Sequence, residues 1–202
     1  MCGIVGLHTS QSLDLTLTIQ NMRDTLTHRG PDASGSRVFT DDQLALGHRR
    51  LSILDLSSAG TQPFSSDNGN HIMVFNGEIY NFRQLRDQLV TKGHSFRTGT
   101  DTEVLIHAYQ VWGSEMVHKI EGMFAFAIFN KKEKTLFCAR DRSGEKPFFY
   151  FKQRDTFAFS SETKGLFALK QCPRKIDYLS LQQFLAFGYT IGNRSMVDGI
   201  FK

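Results

Sequence analysis

Cys2 is the residue whose type and place most directly suggest chemistry. It follows the initiator methionine, and the enzymes that trim Met1 accept a small second residue, so removal is expected. One residue would then carry both a thiol and a free α-amine. The amine can serve as base for the neighbouring nucleophile, as in N-terminal threonine hydrolases. An α-amine titrates near ~7.7–8.0 and a thiol near ~8.5, so proton exchange between them at neutral pH is nearly isoenergetic. Without further context, a cysteine at a chain end is only a small residue at a fraying terminus.

The stretch after Cys2 is strand-like. Gly3-Ile4-Val5-Gly6-Leu7 is an apolar, β-branched run bounded by glycine, and a buried first strand would fix Cys2 in space. Leu15, Ile19, Met22 and Leu26 then give one apolar helix face, with Ser12 or Asp14 as candidate cap and Gly30-Pro31 as stop. His28–Asp32 is predicted to be a rigid turn. Leu44–His48 reads as a strand, followed by Arg49-Arg50-Leu51-Ser52-Ile53.

Ile72–Phe75 is a buried-looking strand that runs into Asn76-Gly77-Glu78. Asn-Gly usually marks a hairpin, but helix signals come after it here. Asn81–Gln84 resembles a capping pair, Leu85 and Leu89 share a face, and Gly93 ends that helix. Thr100-Asp101-Thr102-Glu103 fits a capping box for a longer helix carrying Val104, Leu105, Ala108, Tyr109 and Trp112. Met123–Phe129 reads as a strand buried on both faces, and Thr135–Ala139, Phe148–Phe151 and Thr156–Ser160 as further short strands. Helices around Glu162–Leu169 and from an Asp177 cap to Phe187 complete the pattern. This order predicts an α+β domain with antiparallel sheets covered by helices.

Composition narrows the function classes. At 202 residues, with 40% hydrophobic and 22% charged residues, the chain suits one soluble domain. No apolar run reaches the ~20 residues of a membrane span, and no signal-peptide pattern opens the chain, so no membrane partner is expected. Cys2, Cys138 and Cys172 have neither paired number nor metal spacing, which predicts a reduced, cytoplasmic setting and no metal. The net charge of +4 and pI near 9.0 come from scattered basic residues, and a mildly basic surface is favoured over a nucleic-acid binder. No histidine is assigned to catalysis.

Taken in order, Cys2–Gly6, His28–Asp32, Arg50–Ile53, Asn76–Asn81, Gly99–Asp101, Glu121–Phe126, Arg140–Gly144 and Ser161–Lys164 resemble the glutaminase domain of class II glutamine amidotransferases, in the glutamine-hydrolysing asparagine synthetase branch. The turn at His28–Asp32 and the stretch Asn76–Asn81 are more typical of that branch than of the glucosamine-phosphate synthase or purine branches. The resemblance implies the four-layer αββα N-terminal-nucleophile hydrolase fold over residues 2–202. It implies glutamine hydrolysis through a Cys2 thioester, with ammonia passed to an ATP-dependent synthetase domain.

By the same resemblance, the Asn76 side chain and the Gly77 N–H would donate to the oxyanion, although Asn76-Gly77 taken alone is a tight-turn signature. Arg50 would hold the α-carboxylate of glutamine, and Asp101 with Glu78 its ammonium. Leu51 and Ile53 would add backbone contacts. Alignment on Arg-Leu-Ser favours Arg50 over Arg49. The sequence has no Ser-Gly-Gly-x-Asp-Ser loop, GxGxxG or Walker A motif. A synthetase domain in the same parent chain or in a separate subunit is therefore the expected partner. Any need for ATP and magnesium would lie there, and this domain is expected to need no cofactor. Aspartate is the expected ammonia acceptor; the alternative is a sugar acid or other carboxylate of surface-polysaccharide biosynthesis. A rival reading is a binding module silent until its partner docks.

Overall fold

The computed structural model describes residues 1–52 and 60–202. The strands are β1 (Gly3–Thr9), β2 (Ala33–Phe39), β3 (Leu44–Arg50), β4 (Phe64–Ser65), β5 (His71–Ile79), β6 (Gly122–Asn130), β7 (Thr135–Arg140), β8 (Phe149–Gln153) and β9 (Thr156–Ser160). The α-helices are α1 (Leu15–Asp24), α2 (Phe82–Thr91), α3 (Asp101–Trp112), α4 (Thr163–Phe167) and α5 (Tyr178–Phe187). Two antiparallel sheets form, one ordered β2-β3-β1-β9-β8 and the other β4-β5-β6-β7.

Three apolar clusters define four layers. Ile4, Leu46 and Phe159 of the first sheet meet Val74, Ala125 and Phe129 of the second, which places the two sheets face to face. Val5 and Leu7 point the other way, against Ile19 and Met22 of α1 and Leu166 of α4. Met73, Phe75 and Phe126 face Leu85 and Leu89 of α2 and Leu105 of α3. Each strand thus buries alternate residues in different layers, which is why β6 reads as a continuous apolar run.

Helix ends follow local chemistry. Asp14 caps α1 by accepting the Leu17 N–H at 3.0 Å, deciding between the two candidate caps. Asp177 caps α5 through the Ser180 N–H at 3.0 Å, and Gly188 ends it at φ 80°. Thr100 caps α3 through Glu103 N–H, but the box is only half made. The buried Glu103 carboxylate instead accepts the backbone N–H groups of Arg97 and Thr98 at 2.8 and 2.6 Å, tying the preceding loop to the helix. The capping pair expected at Asn81 does not form. Its side chain bridges Lys119 O and Glu121 N, joining the start of α2 to the approach to β6.

Two features go beyond the local sequence signals. Strand β2 has no clear signal in its Ser- and Gly-containing sequence, because its burial is partial and its pairing is to β3 alone. Asn76-Gly77 is not a turn: it continues β5 and pairs with Ala125 and Phe124 of β6. Gly77 is required by that pairing, since a Cβ there would lie 2.3 Å from Met123 O and 2.8 Å from Phe124 Cα.

Gly6 lies on β1 beneath the Phe159 ring, which stacks on Phe148 with centroids 4.9 Å apart. A Cβ at Gly6 would sit 2.1 Å from that ring. Gly6→Ala should therefore destabilise the fold by ~1–3 kcal/mol, as overpacking does. A urea midpoint equal to the parent's would contradict this packing.

Candidate active site

The cleft lies where the layer between the sheets changes from apolar to polar. On β3, Leu44 and Leu46 face the second sheet, and the same alternation carries His48 and Arg50 onto that side. On β1 the face of Ile4 extends back to Cys2, and on β5 the face of Val74 extends to Asn76. Gly3 pairs with Arg49, which puts the Cys2 and Arg50 positions side by side. The cleft so formed holds about 540 Å³, including its open mouth, and Cys2, Arg50, Leu51, Gly77, Glu78 and Asp101 line it. These are six of the residues expected from sequence. Asn76 is buried between two lining residues, Phe75 and Gly77. Ile53 lies outside the described residues.

Cys2 is held by groups from two directions. The Arg29 Nε donates to the Cys2 carbonyl at 2.9 Å. The Leu51 backbone N–H donates to Cys2 Sγ at 3.5 Å, and Leu51 O lies 3.7 Å from the same sulfur. The turn expected at His28–Asp32 supplies the scaffold. Arg29 ion-pairs with Glu162 at 3.0 Å. Asp32 accepts the Ser52 N–H at 2.8 Å and its own N–H reaches Arg50 O at 3.1 Å, fixing the exit of β3. Gly30 permits this approach, as a Cβ would fall 2.4 Å from the Arg49 carbonyl carbon. Burial alone would raise the Glu162 carboxyl, but hydrogen bonds from His28, Arg29 and Lys164 bring it down to about 2.

Burial pushes the Cys2 thiol up, opposed by the Leu51 N–H, the terminal ammonium of Met1, Arg50 and Arg29. Burial also raises Asp101, to about 6, against the pull of the N–H groups of Ile79 and Thr102 and with a further push from Glu78. The Ile79 N–H reaches an Asp101 carboxylate oxygen at 3.1 Å, so the start of α3 is pinned to the end of β5. Arg49 and Arg50 separate by strand alternation. Arg49 turns outward to Asp24 at 2.7 Å, while the buried Arg50 enters the cleft.

Among the described residues, the buried Asn76 Nδ2 has no hydrogen-bond partner. An orphaned donor of this kind is costly to the fold alone. It sits on β5 between Phe75 and Gly77, both of which line the cleft.

Sequence reasoning assigned no site role to six of the lining residues: Phe75, Thr100 and Thr102, and three that brace the wall, His48, Gly60 and Gln62. His48 is wholly buried, with Nε2 3.2 Å from Phe75 O and Nδ1 without a partner among the described residues. Burial drives its pKa down to about 3, so it is a neutral group in the wall. Its place on the Arg50 face was available from period-two alternation. Gly60 packs against Arg50, since a Cβ there would meet the guanidinium at 2.4 Å. Gln62 accepts the Phe75 N–H at 2.6 Å and braces β5. Neither Gly60 nor Gln62 carries a sequence signal. Among the described residues, no cluster of side chains is arranged to hold a metal ion.

Solved structures share this architecture. Glutamine phosphoribosylpyrophosphate amidotransferase of B. subtilis superposes with a TM-score of 0.67 at 24% identity, over 83% of this chain and 43% of that one. A regulatory enzyme of purine biosynthesis superposes at 0.68, with the same identity and coverage. The fold is thus the αββα fold of the N-terminal-nucleophile hydrolases.

The family model "Glutamine amidotransferase domain" matches residues 1–202, and the chain belongs to that family of enzymes. It is similar to asparagine synthetase [glutamine-hydrolyzing] 1 of Bacillus subtilis, 41% identical over 94% of this chain and 30% of that protein. Asparagine synthetase 3 of the same organism is 38% identical over 100% of this chain and 33% of its own length. A putative asparagine synthetase of Methanocaldococcus jannaschii is 37% identical over 100% and 42%. The chain therefore spans a third or so of the relatives it matches.

The position of Asp101 has a stability consequence. Its folded pKa of about 6 lies above the ordinary value of 3.8, so the unliganded fold loses stability as pH rises through that window. The difference corresponds to ~2–3 kcal/mol at neutral pH. Asp101→Asn should therefore raise the urea midpoint at pH 7 and flatten its dependence between pH 4 and 6. A lower midpoint at pH 7 would contradict this account.

Proposed function

We propose that this chain hydrolyses glutamine to glutamate and ammonia at Cys2, and that the ammonia serves an ATP-dependent synthetase portion that amidates aspartate. The observation that carries this reading is Asn76, which sits on β5 between two residues of the Cys2 cleft, Phe75 and Gly77, with a buried amide donor that has no partner among the described residues. A donor fixed before charge develops suits an oxyanion. The names of the related synthetases support aspartate, rather than a sugar acid, as the acceptor. ATP and magnesium belong to the synthetase portion in this reading.

With Met1 removed, the α-amine of Cys2 takes the thiol proton, directly or through one water. The sulfur attacks the side-chain amide carbon, and its oxygen becomes an oxyanion held by Asn76 Nδ2 and the Gly77 N–H. Collapse breaks the C–N bond, the amine returns the proton to the departing nitrogen, and ammonia leaves. Water then hydrolyses the thioester to glutamate and restores the thiol. Arg50 grips the α-carboxylate and Asp101, beside Glu78, receives the α-ammonium. The Leu51 N–H steadies the sulfur between steps.

Cys2→Ala should abolish ammonia release, and Asn76→Ala should lower kcat ~100–1,000-fold. Retention of Met1, read by intact mass, should leave the chain inactive. A Cys2→Ala variant releasing ammonia at the parent rate would overturn the reading.

Ionisation of Asp101 should govern capture of the substrate ammonium. The plot of kcat/KM for glutamine against pH, already falling as the α-amine protonates, should therefore gain a second, steeper limb below about pH 6, where the free-enzyme carboxylate protonates. Asp101→Asn should lose most of its affinity for glutamine and lose that acid limb. An unchanged limb in the variant would remove Asp101 from this role.

A further inference from the structure

We infer that α5 and the turn after it form the docking surface for the synthetase portion. This rests on the proposed reading of the chain as the glutaminase part of a synthetase. Helix α5 has apolar residues all round and no charged one; indeed no residue between Asp177 and Arg194 is charged. A helix of that composition belongs inside a larger body. Yet on α5 only Ser180 is buried. Tyr178 and Leu185 are each 76% exposed, and Phe184, Phe187, Tyr189 and Ile191 stand out beside them.

The helix is nevertheless well anchored at its base. Asp177 caps it and ion-pairs with Arg194, and Gln183 accepts the Ile191 N–H at 2.9 Å. Its exposed side chains therefore sit on a fixed element. A contiguous apolar surface on such an element marks an interface of the permanent kind.

Two observations select the occupant. Related synthetases run to about three times the length of this chain, so a large body accompanies the domain in them. Lys202 is tied to the same patch: its Nζ donates to Thr190 O at 3.0 Å, and its N–H to Asn193 O at 2.7 Å. Polypeptide following Lys202 in a parent chain would emerge beside α5. The patch shares no residue with the lining of the Cys2 cleft, so the two can be perturbed separately.

The test compares Leu185→Lys and Phe187→Lys in the chain alone and in the whole synthetase that carries it. In the chain alone, glutaminase activity should stay within twofold of the parent. In the whole enzyme, glutamine-dependent synthesis should fall at least ~tenfold relative to ammonia-dependent synthesis, the scale of losing an interface anchor. Independently of activity, α5 amides should exchange hydrogen more slowly in the whole enzyme than in the chain alone. Equal exchange, or an unchanged synthesis ratio, would overturn the assignment. So would a dimer of the chain alone that Leu185→Lys splits, which would give the surface to a second copy. Failure of glutamine hydrolysis in the parent chain would count against the proposed function, while amide exchange would still decide the surface.

Discussion

The grip on Cys2 is the constraint on which the site depends. A residue next to a chain end ordinarily frays, and no chemistry can be aimed from a fraying end. Here the Arg29 guanidinium takes the Cys2 carbonyl and the Leu51 N–H reaches the sulfur. Both grips come from one short turn and the strand it braces. Glu162 fixes Arg29 from the end of β9, and Asp32 fixes the backbone leaving β3. The first sheet is thus tied at β1, β3 and β9 around one residue. Ser161 closes the set, its hydroxyl accepting the Ile4 N–H at 3.0 Å.

The cleft is a sandwich core interrupted. Moving along the inner faces, Leu46, Ile4 and Val74 give way to His48, Cys2 and Asn76 without any change in strand pairing. Polar groups therefore inherit burial that suits apolar ones. The consequences have one sign: charge is disfavoured on Cys2, Asp101 and His48 alike. Such a site is under electrostatic tension while unliganded. A zwitterionic amino acid would relieve it, bringing a carboxylate to the Arg50 end and an ammonium to Asp101.

Much of this was legible in the sequence, for reasons that differ by element. Strongly periodic segments such as β6, α3 and the run from Thr156 to Ser160 announced themselves, because their burial is decided by local pattern. The partly buried strand β2 did not, since its ladder to β3 and not its own composition makes it a strand. Asn76-Gly77 shows the same limit in reverse. Its dipeptide favours a turn, but close passage of β6 keeps the glycine extended. Motif resemblance picked out residues that the structure brings to one cleft, and alternation explains why Arg50 and not Arg49 enters it. Gly60, whose contact with Arg50 is made only in three dimensions, could not be read from one sequence.

The raised thiol pKa bears on how Cys2 could be activated. With Met1 in place, its ammonium, Arg50 and Arg29 all favour the thiolate, yet burial outweighs them. The surroundings therefore do not favour a standing thiolate, and in the proposed mechanism Cys2 needs a base at the moment of attack. The buried imidazole in the cleft wall, His48, has a pKa of about 3 and is too weak a base for a thiol. A base on the nucleophile's own residue avoids that difficulty, because it is held at a fixed distance by covalent bonds and needs no further buried charge. In the proposed mechanism the α-amine therefore supplies a base that the buried surroundings of Cys2 do not.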